Sequence, residues 1–315
     1  DLWESKECTL STRTENKFGI MEKAGAVFAI LLLVVSVDVR GQQGHGVIRE
    51  SLSLESEILG KEVAYSVYLP PGYEETNRSY PVLYLLHGYT DDETAWIQFG
   101  QVKKIADRHT DDVEISSMII IMPDAGVSWY VNSRDGTTRY EDFFIEEFIP
   151  AMESEYRVRG EKEFRAVAGL SMGGYGTLIM ALKHPGLFSA AAPLSAGVLT
   201  EESVVNMPQD NWDRTFGAPF GKGLRGNERL TKHNRDNSVI DLIRNGNAET
   251  LNTVDFYIDC GDDDFLIEGN MELHSVMLEK EVAHEFRVRD GGHGWEYWRT
   301  ALPEVLRFVS QRFHR

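Results

Sequence analysis

One hexapeptide stands out for the chemistry it could support: Gly169-Leu170-Ser171-Met172-Gly173-Gly174. It follows a short apolar run, Arg165–Leu170, and opens a helix-period stretch. A serine between two glycines at this spacing, with a strand before and a helix after, is the context of a nucleophile elbow. The serine sits in a strained turn, and the flanking glycines permit backbone approach too close for a side chain. The following helix aims its N-terminal amides and the positive end of its dipole at the site. Ser171 is therefore the candidate nucleophile.

A serine hydroxyl is a weak nucleophile near neutral pH and needs a base. In the elbow architecture the acid and then the histidine follow the serine along the chain. Six of the nine histidines do so: His184, His233, His274, His284, His293 and His314. His184 ends the elbow helix. His233 falls in a polar stretch, His274 inside a helical pattern, His284 just before a strand, and His314 in the tail. His293 lies in Asp290-Gly291-Gly292-His293-Gly294-Trp295, a glycine-rich loop between the last strand and the last helix. That position lets a base reach back to the elbow, so His293 is the candidate.

The acid is expected after the preceding strand, Val254–Asp259, where Asp262, Asp263 and Asp264 are adjacent. One should orient the imidazole while the others face water. Pattern alone leaves the three open. A calcium loop is the rival reading, but the alternating ligands and closing glutamate of an EF-hand are absent. An oxyanion requires two amides aimed at the developing charge. Met172 N–H, next to the nucleophile, and Tyr89 N–H, after Leu86-His87-Gly88, are the candidates. His87 reads as a structural member of that loop.

These loops need a scaffold. Val63–Leu69, Tyr80–Leu86, Ser117–Met122, Arg165–Leu170, Val254–Asp259 and Glu285–Val288 read as strands. Several are almost continuously apolar, as buried parallel strands are. Tyr140–Tyr156, Gly174–His184, Asn270–Glu281 and Trp295–Phe313 carry helical periodicity. Alternating strands and helices predict an α/β fold, with a mostly parallel sheet covered on both faces. From Gly197 to about Leu251 the chain is polar, glycine-rich and without strong periodicity. It reads as an insertion above the sheet, a partial lid.

With these features in order, the chain resembles the "Putative esterase" family of the α/β-hydrolase superfamily. That family includes feruloyl esterases, S-formylglutathione hydrolases, tributyrin-type esterases and mycolyltransferases. The matching segments are Tyr84–Gly88, Trp129–Ser133, Tyr140–Phe143, Gly169–Gly176, His184-Pro185, and Gly291-Gly292-His293 with Trp295. The resemblance spans about Val47 to Phe308. It implies a catalytic triad of Ser171, Asp264 and His293, with Asp263 as the reserve acid, because the family places its acid three residues after the strand-end glycine, here Gly261. It implies no metal and no organic cofactor. Trp96, Trp129, Tyr130 and Trp212 are candidates to stack on a phenolic acyl group.

The first residues are read separately. Met21 is followed by an uncharged run, Ala24–Val37, and a polar switch near Gly41. Fourteen uncharged, mostly apolar residues suit a secretory signal better than a membrane span. Residues 21–41 are thus expected to be a signal peptide, residues 1–20 upstream sequence, and 45–315 one domain. The chain of 315 residues carries 50 acidic and 32 basic side chains, a net charge of −18. Six acids and five bases lie in the first 41 residues, so 274 residues retain −17. That charge disfavours nucleic acid and anionic membranes as partners. Only Cys260 follows the leader, so the domain forms no internal disulfide. The expectation is a secreted serine carboxylesterase, first a feruloyl esterase on plant-wall esters and second an acetyl-xylan or short-acyl esterase. An S-formylglutathione hydrolase, an acyltransferase and a non-catalytic carbohydrate-binding relative are less favoured readings.

Overall fold

The computed structural model describes residues 44–313. The expected signal segment and upstream residues lie outside the described residues. Among the described residues eight strands form one sheet: β1 Val47–Ser56, β2 Lys61–Leu69, β3 Val82–Leu86, β4 Ile119–Pro123, β5 Arg165–Leu170, β6 Ala190–Leu194, β7 Asp255–Gly261 and β8 His284–Arg289. Their order is β1-β2-β4-β3-β5-β6-β7-β8. β1, β2 and β4 pair antiparallel, and every pair from β4 to β8 is parallel.

All residues of β3, β4, β5 and β6 are buried. Alternate side chains enter opposite core layers, as the period of two requires. Val82, Tyr84, Leu86, Ile119, Ile121 and Val167 face one layer. Leu83, Leu85, Ile120, Met122, Ala166 and Ala168 face the other. The first layer is closed by the elbow helix Met172–Lys183 and by the segment from Tyr140 to Glu155. A widened turn over Phe143–Phe148 interrupts that segment, and Phe143, Phe144 and Phe148 are fully buried. The second layer is closed by the helices Val102–Asp111 and Trp295–Arg312.

Two strands are not evident from the sequence. β1 lies at the sheet edge and is largely exposed. β6 is alanine-rich and contains Pro193, which argues against a central strand. Pro193 nevertheless pairs in register with Gly169 of β5. Its small neighbours fit between helices packed on both faces.

The stretch after β6 also differs from expectation. It is not an aperiodic loop. It folds into short helices, including Glu201–Asn206, Gln209–Thr215, Lys232–Asp236, Val239–Asn245 and Ala248–Leu251. Thr200, Thr231, Ser238 and Asn247 cap four of them through their side chains. Helices of four to seven residues are too short to show clear amphipathic periodicity, so the sequence pattern does not reveal them. Buried Arg229 ties the segment together. Its guanidinium donates to the carbonyls of Val204, Met207 and Leu224 and to Gln209, and it lies 4.8 Å from the Trp212 ring.

Candidate active site

Ser171 stands at the junction between β5 and the elbow helix with φ +54° and ψ −114°. This backbone conformation is strained for a residue with a side chain. It is locked by Ser171 N–H donating to Leu194 O at 2.9 Å, and by Ser171 O accepting from Tyr175 and Gly197 N–H. The glycine requirement is steric. A Cβ on Gly173 would lie 2.5 Å from Leu86 O, and one on Gly169 would lie 2.6 Å from Gly173 O. Both obstacles are backbone.

His293 Nε2 lies 3.0 Å from Ser171 Oγ. Its Nδ1 lies 2.9 Å from Asp264 Oδ2 and 3.0 Å from Oδ1. An ionised carboxylate only accepts hydrogen bonds, so Nδ1 carries the proton and Nε2 is free to accept one from serine. The structure therefore brings Ser171, His293 and Asp264 into one chain of contacts, each in a loop at the carboxyl end of a parallel strand. Asp264 is 2% exposed, whereas Asp262 and Asp263 face solvent. Burial alone would raise the Asp264 pKa. Hydrogen bonds from His293, Leu266 N–H and the Ser195 hydroxyl outweigh it and hold the carboxyl below its ordinary range.

The contacts of three residues here have no counterpart in the sequence reading. Ser195, fully buried at the end of β6 with φ +44°, accepts the Trp298 indole N–H at 3.0 Å and favours the anion of Asp264. Trp298 also stands edge-on to the His293 ring, centroids 4.9 Å apart. The Phe265 ring, 76% exposed, has its centroid 4.5 Å from that of the His293 imidazole. Nothing in the local sequence around Ser195 distinguishes it from an ordinary strand-end serine.

The loop after β3 reaches the elbow. A Cβ on Gly88 would lie 3.8 Å from Ser171 Cβ. Among the described residues no backbone carbonyl takes the N–H of Tyr89 or of Met172. His87 is buried and structural as read: its ring nitrogens contact Gly88 O at 2.7 Å and Ala125 N–H at 2.8 Å.

The aromatic expectations need correction. Trp96 is buried in the second core layer, donating to Leu86 O at 2.9 Å and meeting Trp295 edge-on. Tyr130 is completely buried, with its hydroxyl on His87 O. Neither can stack on a substrate. Trp129 and Trp212 are also buried, with their indole N–H groups on Thr215 O and Gly221 O. They line a cavity of about 70 Å³ between Gly197 and the helical segment, which neither Ser171 nor His293 lines. Large apolar rings bury more surface than any other side chains, and that demand decided their placement. His293 instead lines an open groove of about 530 Å³ along Asp290–Tyr297.

The chain matches the family described as "Putative esterase" over residues 56–309. It belongs to that family. Its fold is that of the α/β hydrolases, and its class is carboxylic ester hydrolase. It is similar to an acetyl esterase of Caldicellulosiruptor saccharolyticus, 23% identical over 229 residues, covering 73% of this chain and 83% of that protein. An esterase of Mycobacterium tuberculosis is 30% identical over 256 residues, 76% of this chain, which spans only 54% of that longer protein. Among solved structures, a ferulic acid esterase superimposes with TM-score 0.74 at 35% identity, over 85% of this chain and 99% of that one.

Proposed function

We propose that this family member is an exported serine carboxylesterase that cleaves feruloyl esters of plant cell walls. The contact chain Asp264–His293–Ser171, at 2.9 Å and 3.0 Å, carries the mechanism. Ser171 Oγ attacks the ester carbonyl as His293 Nε2 takes its proton. Asp264 holds the imidazole and stabilises the imidazolium. Met172 and Tyr89 N–H hold the oxyanion. The tetrahedral intermediate expels the alcohol, which receives the proton from His293. Water, deprotonated by the same imidazole, then releases the acid and regenerates Ser171.

Similarity to the ferulic acid esterase over nearly its whole length supports the feruloyl reading. A short-acyl reading has support of its own. Similarity to the acetyl esterase over 73% of this chain supports it. Residues 21–41 would direct export, which N-terminal sequencing of the mature protein tests.

Ser171→Ala should lower hydrolysis of short esters by about 10⁴–10⁶-fold without loss of fold. Undiminished turnover by a clean Ser171→Ala preparation would remove the serine mechanism. Methyl ferulate set against acetylated xylan separates the two acyl readings. Cleavage of the second alone would replace the first.

A further inference from the structure

The loop that carries His293 begins and ends on a single buried carboxylate. Asp259 of β7 is completely buried. Arg289, the last residue of β8, grips it with two bonds of 3.0 Å, one to each oxygen. Tyr297, in the first turn of the last helix, donates its hydroxyl to Oδ1, and Tyr257 donates to Oδ2 at 2.8 Å. His293 lies midway, four residues after Arg289 and four before Tyr297. Between those anchors stand Gly291, Gly292 and Gly294, so the loop alone has wide conformational freedom.

The histidine loop is also bonded to the acid loop. Asp262 N–H donates to Arg289 O at 3.0 Å, Asp263 N–H to Gly291 O at 3.1 Å, and Gly291 N–H to Asp262 Oδ1 at 3.0 Å. Asp259 O accepts the N–H of Ser195 at 2.7 Å. An apolar residue would fill this strand position with less desolvation cost. The two carboxylate oxygens of Asp259 accept all four side-chain bonds at once, whereas an amide would offer one acceptor oxygen.

We propose that Asp259 is a positioning residue for ester hydrolysis, keeping His293 within reach of both Ser171 and Asp264 through Arg289 and Tyr297. This rests on the serine-esterase reading above. Asp259 touches no reacting atom, so its removal should slow the chemical steps and leave substrate binding intact.

The test compares Asp259→Asn, Tyr297→Phe and, as a core control on the same helix, Val309→Ala. Each is assayed with a short nitrophenyl ester below its Tm, and the low-field proton resonance of His293 Nδ1–H is recorded. Asp259→Asn is expected to lower kcat about 10–100-fold with KM within about twofold, as small misplacements of catalytic groups do. Tyr297→Phe should lower kcat about three- to tenfold by the same route. Both should weaken the low-field resonance, while Val309→Ala retains it and keeps kcat within about twofold. The proposal is overturned if folded Asp259→Asn keeps its kcat and resonance. If that variant does not fold, an unchanged Tyr297→Phe overturns it equally. A core control that loses as much kcat as the clasp variants also overturns it. A wild-type protein that cleaves no ester, and whose Ser171 resists a fluorophosphonate, would instead remove the underlying esterase reading.

Discussion

Asp264 shows how a single side chain combines a structural and a chemical role. Its folded-state pKa is depressed, because hydrogen bonds to the anion overcome the cost of burial. A depressed carboxyl contributes stability that is fully present above its unfolded-state pKa, about 3.9. That contribution is lost as pH falls through the lower folded value. The Tm gap between wild type and Asp264→Asn should therefore narrow as pH is lowered from about 5 to about 3. Thermal melts at each pH check this, and a gap that widens on acidification would contradict the sign. At the same scale, Cys260 is a buried strand residue with its thiol pushed up to about 12, chiefly by burial and then by Asp264 and Asp259. That fits a packing role and not a nucleophilic one.

At the scale of elements, the elbow works because one strand end, one helix start and a neighbouring loop share backbone-to-backbone contact. Gly173→Ala would place its Cβ 2.5 Å from Leu86 O and 2.6 Å from His87 O, with no flexible atom to give way. It should cost about 1–3 kcal/mol and displace Ser171, so activity falls further than stability. Gly186→Ala is the matched contrast. That exposed glycine has nothing within 4 Å of a Cβ and no positive φ, so the change should stay within about 0.5 kcal/mol. Equal Tm losses in the two variants would show that the close approach is not what the elbow depends on. The buried strands β3, β4 and β5 were legible because burial on both faces leaves an apolar run. β1 and β6 were not, since edge exposure and an alanine-proline composition carry weak signals. The short helices after β6 are stabilised by caps and by tertiary contacts such as those of Arg229, which no local period records.

For the whole molecule, the acidic balance sets solution behaviour. The −17 on residues 42–315 makes copies of the domain repel near neutral pH, and the sequence pI is 4.9. Solubility should pass through a minimum near that pH and recover on either side, which turbidity across pH 4–8 would reveal. A flat profile would mean that surface charge does not govern association. Ser171 and His293 could be named from local spacing, because a nucleophile elbow and a glycine-rich histidine loop are each built from a few consecutive residues. Asp264 could be narrowed only to a trio until the family resemblance selected it. Its choice over Asp262 and Asp263 depends on which carboxylate the fold buries beneath the imidazole. Trp96, Trp129, Tyr130 and Trp212 went the other way: their chemistry suits stacking, but burial claimed them. The clasp on Asp259 joins residues 38 positions apart in the chain, Asp259 to Tyr297. Contacts at that separation have no local pattern. They exist only after the sheet has set β7 beside β8 and brought the last helix back across both.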